Sequence, residues 1–153
     1  MSGIRGKNTK PELTIRKALH ARGFRYRIHC KDLPGKPDLC LPKYRAVIFV
    51  HGCFWHGHDC HLFKWPKTRP EFWREKIAGN RAVDAAAEAK LLADRWRVAT
   101  VWECSLKGRE RLQLEDVVGR LSEWLVSSFP RYELRGTGNQ RAVDWYGKNV
   151  EPN

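Results

Sequence analysis

Cys53-Phe54-Trp55-His56-Gly57-His58-Asp59-Cys60-His61 gathers two thiols and three imidazoles into nine residues. Thiolate and imidazole are borderline-soft donors, and four of them arranged tetrahedrally make a closed structural Zn2+ site. Gly57 permits a tight turn, so Cys53, His58 and Cys60 can converge from one loop, and Cys104, just past a strand ending at Trp102, is the best-placed fourth ligand. The competing account is three buried thiols with histidines at the surface. Cys30 and Cys40 lie outside the cluster and read as packing residues, with Cys40 left open as a substitute ligand. A closed site has no position for water, so any reaction belongs elsewhere.

The candidate for that chemistry is Asp38, which follows Leu33-Pro34-Gly35-Lys36-Pro37 at the start of a strand. A carboxylate there can anchor Mg2+, which binds one or two protein oxygens and keeps waters and substrate phosphates for the rest; the neighbouring strand ending at Val50-His51 can add a backbone carbonyl. Asp is also an ordinary turn-former, and that reading stands beside the first. Glu12 precedes Ile15 and Leu19 by three and seven residues and so lies on the inward edge of a helix, either facing the same site or closing a capping box. His56 is not needed as a zinc ligand, and its imidazole is a candidate general base for water attacking phosphorus. Phe54, Trp55 and Trp73 either pack beneath the loop or act as apolar wedges between base steps.

These residues need elements to position them. Thr9-Lys10-Pro11-Glu12 opens a helix running to about Ala21; Tyr26 and Ile28 alternate as a short strand; and Asp38 to Leu41 forms the next. Ala46 to Val50 is a continuous apolar, β-branched run expected of a central strand, and Val98 to Trp102 is another. Between them, Glu71 to Ile77 and Arg81 to Asp94 read as helix broken near Gly79, with Val83, Ala86, Ala87 and Leu91 on one side. A last amphipathic helix carries Leu114, Val117, Val118, Leu121, Trp124 and Leu125. This order predicts an α/β fold, a mixed sheet flanked by helices with antiparallel early strands. One domain over residues 1–127 is expected, followed by a loosely ordered tail, 128–153, with Pro130, Gly136, Gly138, Gly147 and Pro152.

The chain has 153 residues, one domain's length, and 29 Lys+Arg against 17 Asp+Glu give a net charge of +12. Residues 1 to 27 hold Arg5, Lys7, Lys10, Arg16, Lys17, Arg22, Arg25 and Arg27 against Glu12 alone. A surplus so placed suits a nucleic-acid polyanion, although charge alone also serves solubility. No apolar run approaches the ~20 residues that span a bilayer, and the opening residues lack the apolar core of a signal peptide; a cytoplasmic protein with no membrane partner is expected. A zinc-dependent nucleobase deaminase would need His-x-Glu and Pro-Cys-x-x-Cys, and neither occurs.

The motifs together resemble the very-short-patch repair (Vsr) DNA mismatch endonucleases. The resemblance runs from Asn8-Thr9-Lys10-Pro11-Glu12 through Leu33 to Asp38 and Val47 to His56, then Thr68-Arg69-Pro70-Glu71-Phe72-Trp73 and Trp96 to Cys104, covering residues 1 to 126. It implies a restriction-endonuclease-like fold with a structural zinc. It also implies a Mg2+-dependent nick 5′ of the thymine in T:G mismatches left by 5-methylcytosine deamination. By motif position, Asp38 resembles the metal-binding aspartate and His56 the general base, with Glu12 and His51 as supporting catalytic residues. Cys53, His58, Cys60 and Cys104 match the zinc ligands, and Phe54, Trp55 and Trp73 the intercalating aromatics. Val50 stands where some relatives carry Thr, and no Glu-x-Lys follows on the next strand, so a lysine base is not expected. Double-stranded DNA with a T:G mismatch is the implied partner, and the mismatch-repair protein MutL a further one. A single asymmetric lesion suits a monomer. The rival function is a zinc-stabilised DNA-binding module without cleavage.

Overall fold

The computed structural model describes residues 9–138. Helix α1 (Lys10–Ala21) begins where Thr9 Oγ1 accepts the Glu12 amide at 3.3 Å, with Pro11 in the first turn. Strands β1 (Arg27–Ile28), β2 (Leu39–Leu41) and β3 (Ala46–His51) follow. Then come α2 (Pro70–Ala93), β4 (Arg97–Trp102), α3 (Leu114–Leu125) and β5 (Arg131–Leu134). The five strands lie side by side in chain order. Short connections make β1, β2 and β3 antiparallel, while the helical crossovers α2 and α3 make β4 and β5 parallel to their predecessors. The expected mixed sheet flanked by helices is therefore present.

Alternation along the strands sorts the core into two faces. Leu39, Leu41, Ala46, Ile48, Ala99, Val101 and Leu134 pack under α1 and α3 with Ile15, Leu19, Val117, Leu121 and Leu125. Cys40, Val47, Phe49 and Val98 face the other way, against Leu91 of α2 and Trp96. Both faces of β3 are covered, as its unbroken apolar run requires. Arg97, at the start of β4, donates to the carbonyls of Trp124 and Leu125 at 3.0 and 2.7 Å, which ends α3 on a cation.

Two expectations are corrected. Helix α2 is continuous through Gly79, which has open space where a side chain would lie. The ~1 kcal/mol cost of one glycine is outweighed by packing along a line of Ile77, Asp84, Ala87 and Leu91, while Val83 and Ala86, expected on the inward side, are exposed, Val83 at 64%. The second correction concerns the segment after Ser127. It supplies an edge strand, β5, whose Leu134 is buried, because β4 offers a free edge and the Val98 amide bonds the Pro130 carbonyl at 2.9 Å. The remainder of the expected tail, 139–153, lies outside the described residues, as do Arg5 and Lys7. No helix among the described residues is long and apolar enough to cross a membrane.

Candidate active site and metal centre

β3 and β4 run parallel in register to His51 and Trp102, so the loops leaving them meet at one end of the sheet. The loop after β3 turns at Gly57, whose φ of +61° favours glycine and where a Cβ would lie 2.7 Å from the Ile77 side chain on α2. It is fastened by the His58 amide to the Cys53 carbonyl at 2.9 Å and by the Cys53 amide to Glu103 Oε1 at 3.1 Å. Cys53, His58, Cys60 and Cys104 are all buried, and one donor atom from each lies within 4.8 Å of the others.

His58 Nδ1 stands 3.5 Å from Cys53 Sγ and 3.7 Å from Cys104 Sγ. A tetrahedral ion with Zn–S of ~2.3 Å and Zn–N of ~2.0 Å places sulphur and nitrogen roughly 3.6 Å apart, so the donor set fits zinc. Cys104 is held below the usual thiol range by the Cys53 thiol donating to it, with the Gly136 amide, 3.3 Å away, assisting; the same contact and burial push Cys53 up. The His58 ring lies flat on Trp102, centroids 4.0 Å apart, and Asp59, gripped by Arg135 at 2.8 Å, stands 3.8 Å from its Nε2. At that distance Asp59 makes no hydrogen bond to the ring, although it stands on the side where the outer carboxylate of a metal-bound imidazole is usually found. Cys40 is not part of this cluster: it packs with Val47 and Phe49 beside Cys30 on the α2 side of the sheet.

Asp38 lies at the mouth of the hairpin between β2 and β3, where its Oδ2 accepts the Val50 amide at 2.6 Å. Within an extended strand a residue's N–H and C=O point to the same side, so the Val50 carbonyl is directed to Asp38's edge of β3. Burial pushes the Asp38 carboxyl up to about 7, and nearby Glu12 adds to the rise; the Val50 amide, His56 and Arg16 pull it down. A carboxylate this reluctant to ionise is suited to a cation. Glu12 is 1% exposed on the inward face of α1, its Oε2 2.9 Å from His29 Nε2 and 3.3 Å from Arg16. Asp38, Glu12 and His56 are thus electrostatic neighbours.

His56 stacks on His51 with centroids 3.8 Å apart, and its Nδ1 lies 2.5 Å from Asp84 Oδ2. A carboxylate partner requires the proton on Nδ1, which leaves Nε2 as a lone-pair acceptor. Burial and the neighbouring His56 lower His51 to about 3, so it is neutral. Asp84 was not singled out from the sequence. The signal was present, because it falls seven residues from both Ile77 and Leu91 in the middle of the inward line of α2.

Phe54, Trp55 and Trp73 form one half-buried cluster, with Phe54 centred 5.2 Å from Trp55 and 5.4 Å from Trp73. Asn80 of α2 ties the Trp55 carbonyl at 2.8 Å. The rings therefore sit between the metal loop and the start of α2, partly open to solvent.

Residues 1–62 match the family model described as DNA mismatch endonuclease Vsr. The chain is 46% identical over 125 residues to the DNA mismatch endonuclease Vsr of Escherichia coli K12, covering 82% of this chain and 80% of that protein. The chain belongs to the Vsr family. It is also 54% identical over 106 residues to the type II nicking enzyme V.XorIIP of Xanthomonas oryzae pv. oryzae, 69% of this chain and 78% of that one. To the nicking enzyme V.NmeAIP of Neisseria meningitidis it is 47% identical over 116 residues, 73% and 83% of the two. As a Vsr-family member it is an endonuclease acting on DNA, and its mixed five-stranded sheet flanked by helices, with a Cys/His cluster able to hold a zinc, is restriction-endonuclease-like.

Proposed function

We propose that this Vsr-family enzyme makes a Mg2+-dependent, strand-specific nick on the 5′ side of the thymine in T:G mismatches left by 5-methylcytosine deamination. The observation that carries the reading is the convergence of Asp38 and a carboxylate-oriented His56 at one sheet end, beside a half-buried aromatic cluster. Asp38 and the Val50 carbonyl would hold Mg2+, which when bound polarises the phosphate and stabilises the leaving oxygen. His56 Nε2 takes the proton of the attacking water, and Asp84 fixes the ring's tautomer and steadies the imidazolium. Neutral His51 braces that ring from behind. Glu12, bonded to Arg16 and His29, places a second carboxyl group beside Asp38 and strengthens cation binding.

Phe54, Trp55 and Trp73 enter the duplex at the mismatch, where weak pairing makes unstacking least costly. Zinc on Cys53, His58, Cys60 and Cys104 is structural: with four protein donors it leaves no open position and instead fixes the loop that presents His56. The enzyme works as a monomer on an asymmetric lesion, in the cytoplasm and at the nucleoid, and cooperates with MutL. The test is nicking of T:G-mismatched and matched duplexes with Mg2+ by wild type and Asp38→Ala. Cleavage beside the thymine by wild type alone is expected; nicking retained by the variant, or absent from both, overturns the assignment.

A further inference from the structure

Beyond the wedge, the segment Lys64 to Arg74 presents an exposed run of cations and rings. Trp65 is 50% exposed and Phe72 43%, a large apolar area left in water by two side chains that the core does not need. Each carries an arginine. The Arg69 guanidinium carbon lies 4.3 Å from the Phe72 ring centroid and that of Arg74 lies 5.6 Å from Trp65's, both within cation–π range. Exposed Lys64 and Lys67 lie between them in sequence, and none of the four cations forms an ion pair with a described residue, although Glu71 and Glu75 are nearby on α2. The two rings continue the wedge cluster: Trp65 meets Phe63 edge-on at 4.9 Å, Phe63 stacks on Phe54, and Phe72 meets Trp73 at 5.1 Å.

A guanidinium lying on a ring is restrained in orientation while its N–H edges remain open, and it loses less freedom when it grips a bidentate acceptor. The acceptor that matches two forked cations spaced along the margin of a base-stack wedge is a pair of backbone phosphates. We propose that Arg69 and Arg74, seated on Phe72 and Trp65, hold the sugar–phosphate backbone of the duplex flanking the aromatic wedge. The proposal rests on the DNA-nicking reading and adds a sequence-independent grip to it. Trp65 and Phe72 are positioning residues, acting through the arginines.

The test is fluorescence anisotropy of the full zinc-loaded chain on labelled T:G and matched T:A duplexes between about 50 and 300 mM salt. Arg69→Ala and Arg74→Ala are each expected to weaken both duplexes by the same factor, roughly five- to tenfold at low salt, and to lower the salt slope by about 0.9. Trp65→Ala is expected to reproduce most of the Arg74→Ala loss, with the double variant no weaker than Arg74→Ala alone. Unchanged slopes in the arginine variants, additive losses at Trp65 and Arg74, or a changed T:G to T:A ratio would overturn the proposal. Because this readout needs neither Mg2+ nor cleavage, its failure is separable from a wild type that binds normally but does not nick.

Discussion

Replacing Asp38 by Asn should make the enzyme more stable while disabling it. Burial raises the Asp38 carboxyl from 3.8 to about 7, so folding disfavours its ionised form. The sign follows from linkage: a raised folded pKa leaves the stability contribution intact below about pH 4 and removes it progressively as pH climbs to 7, after which the loss is constant. A gap of about 3 in pKa at about 1.4 kcal/mol each sets a ceiling of ~4 kcal/mol on that loss at pH 8. Asparagine keeps an acceptor for the Val50 amide but sheds the charge, and some of the ceiling is lost to imperfect fit of its NH2 group. A net gain on the order of 2 kcal/mol is expected at pH 8, or a rise of roughly 4–8 °C in Tm for a domain of this size. At pH 5 the gain should be well under half as large. The assay is thermal unfolding of both proteins at the two pH values, zinc-loaded and free of Mg2+. Adding Mg2+ should then raise the wild-type Tm and leave the variant unmoved. A variant no more stable at pH 8, or equally more stable at both pH values, would refute the reasoning.

Cys60→Ala removes one of four donors from a buried cluster, and because structural zinc binding is largely folding free energy, ~10 kcal/mol or more in small zinc domains, cooperative unfolding should disappear. Circular dichroism and zinc stoichiometry check it, and a wild-type melting curve in a zinc-free variant would contradict it. Asp84→Asn leaves the helix intact but removes the carboxylate that sets the His56 tautomer, so kcat should fall about 100-fold or more with duplex affinity unchanged; single-turnover nicking and anisotropy separate the two.

The four donors that the fold brings together were legible in the sequence, Cys53, His58 and Cys60 through their density in one loop and Cys104 through the strand that ends at Trp102. Helices α1 and α3 announced themselves through capping and apolar period, and β3 through its continuous run. What local pattern could not show was decided by partners distant in the chain. Strand β5 is four residues with two exposed charges, and only the free edge of β4 makes it a strand. Gly79 looked like a break because its solvent position was unknown. Asp84 hid for the opposite reason: an acid within an apolar line reads as an exception until His56 is seen opposite. Glu12 was ambiguous between capping and the site because both depend on neighbours the local pattern does not show: Thr9 caps its amide, while its carboxyl is buried against His29 and Arg16 near Asp38.

The uninterrupted α2 gives these parts a mechanical relation. Trp73 and Asp84 are eleven residues apart, three turns and roughly 16 Å along one strut, and so project to nearly the same side. With no hinge at Gly79, a push on the indole is transmitted to the carboxylate as rigid tilt instead of being absorbed midway. Asp84 already holds His56 at 2.5 Å, so under the proposed mechanism the strut keeps the stacking indole and the histidine's carboxylate partner at one fixed separation, and a duplex must fit both at once.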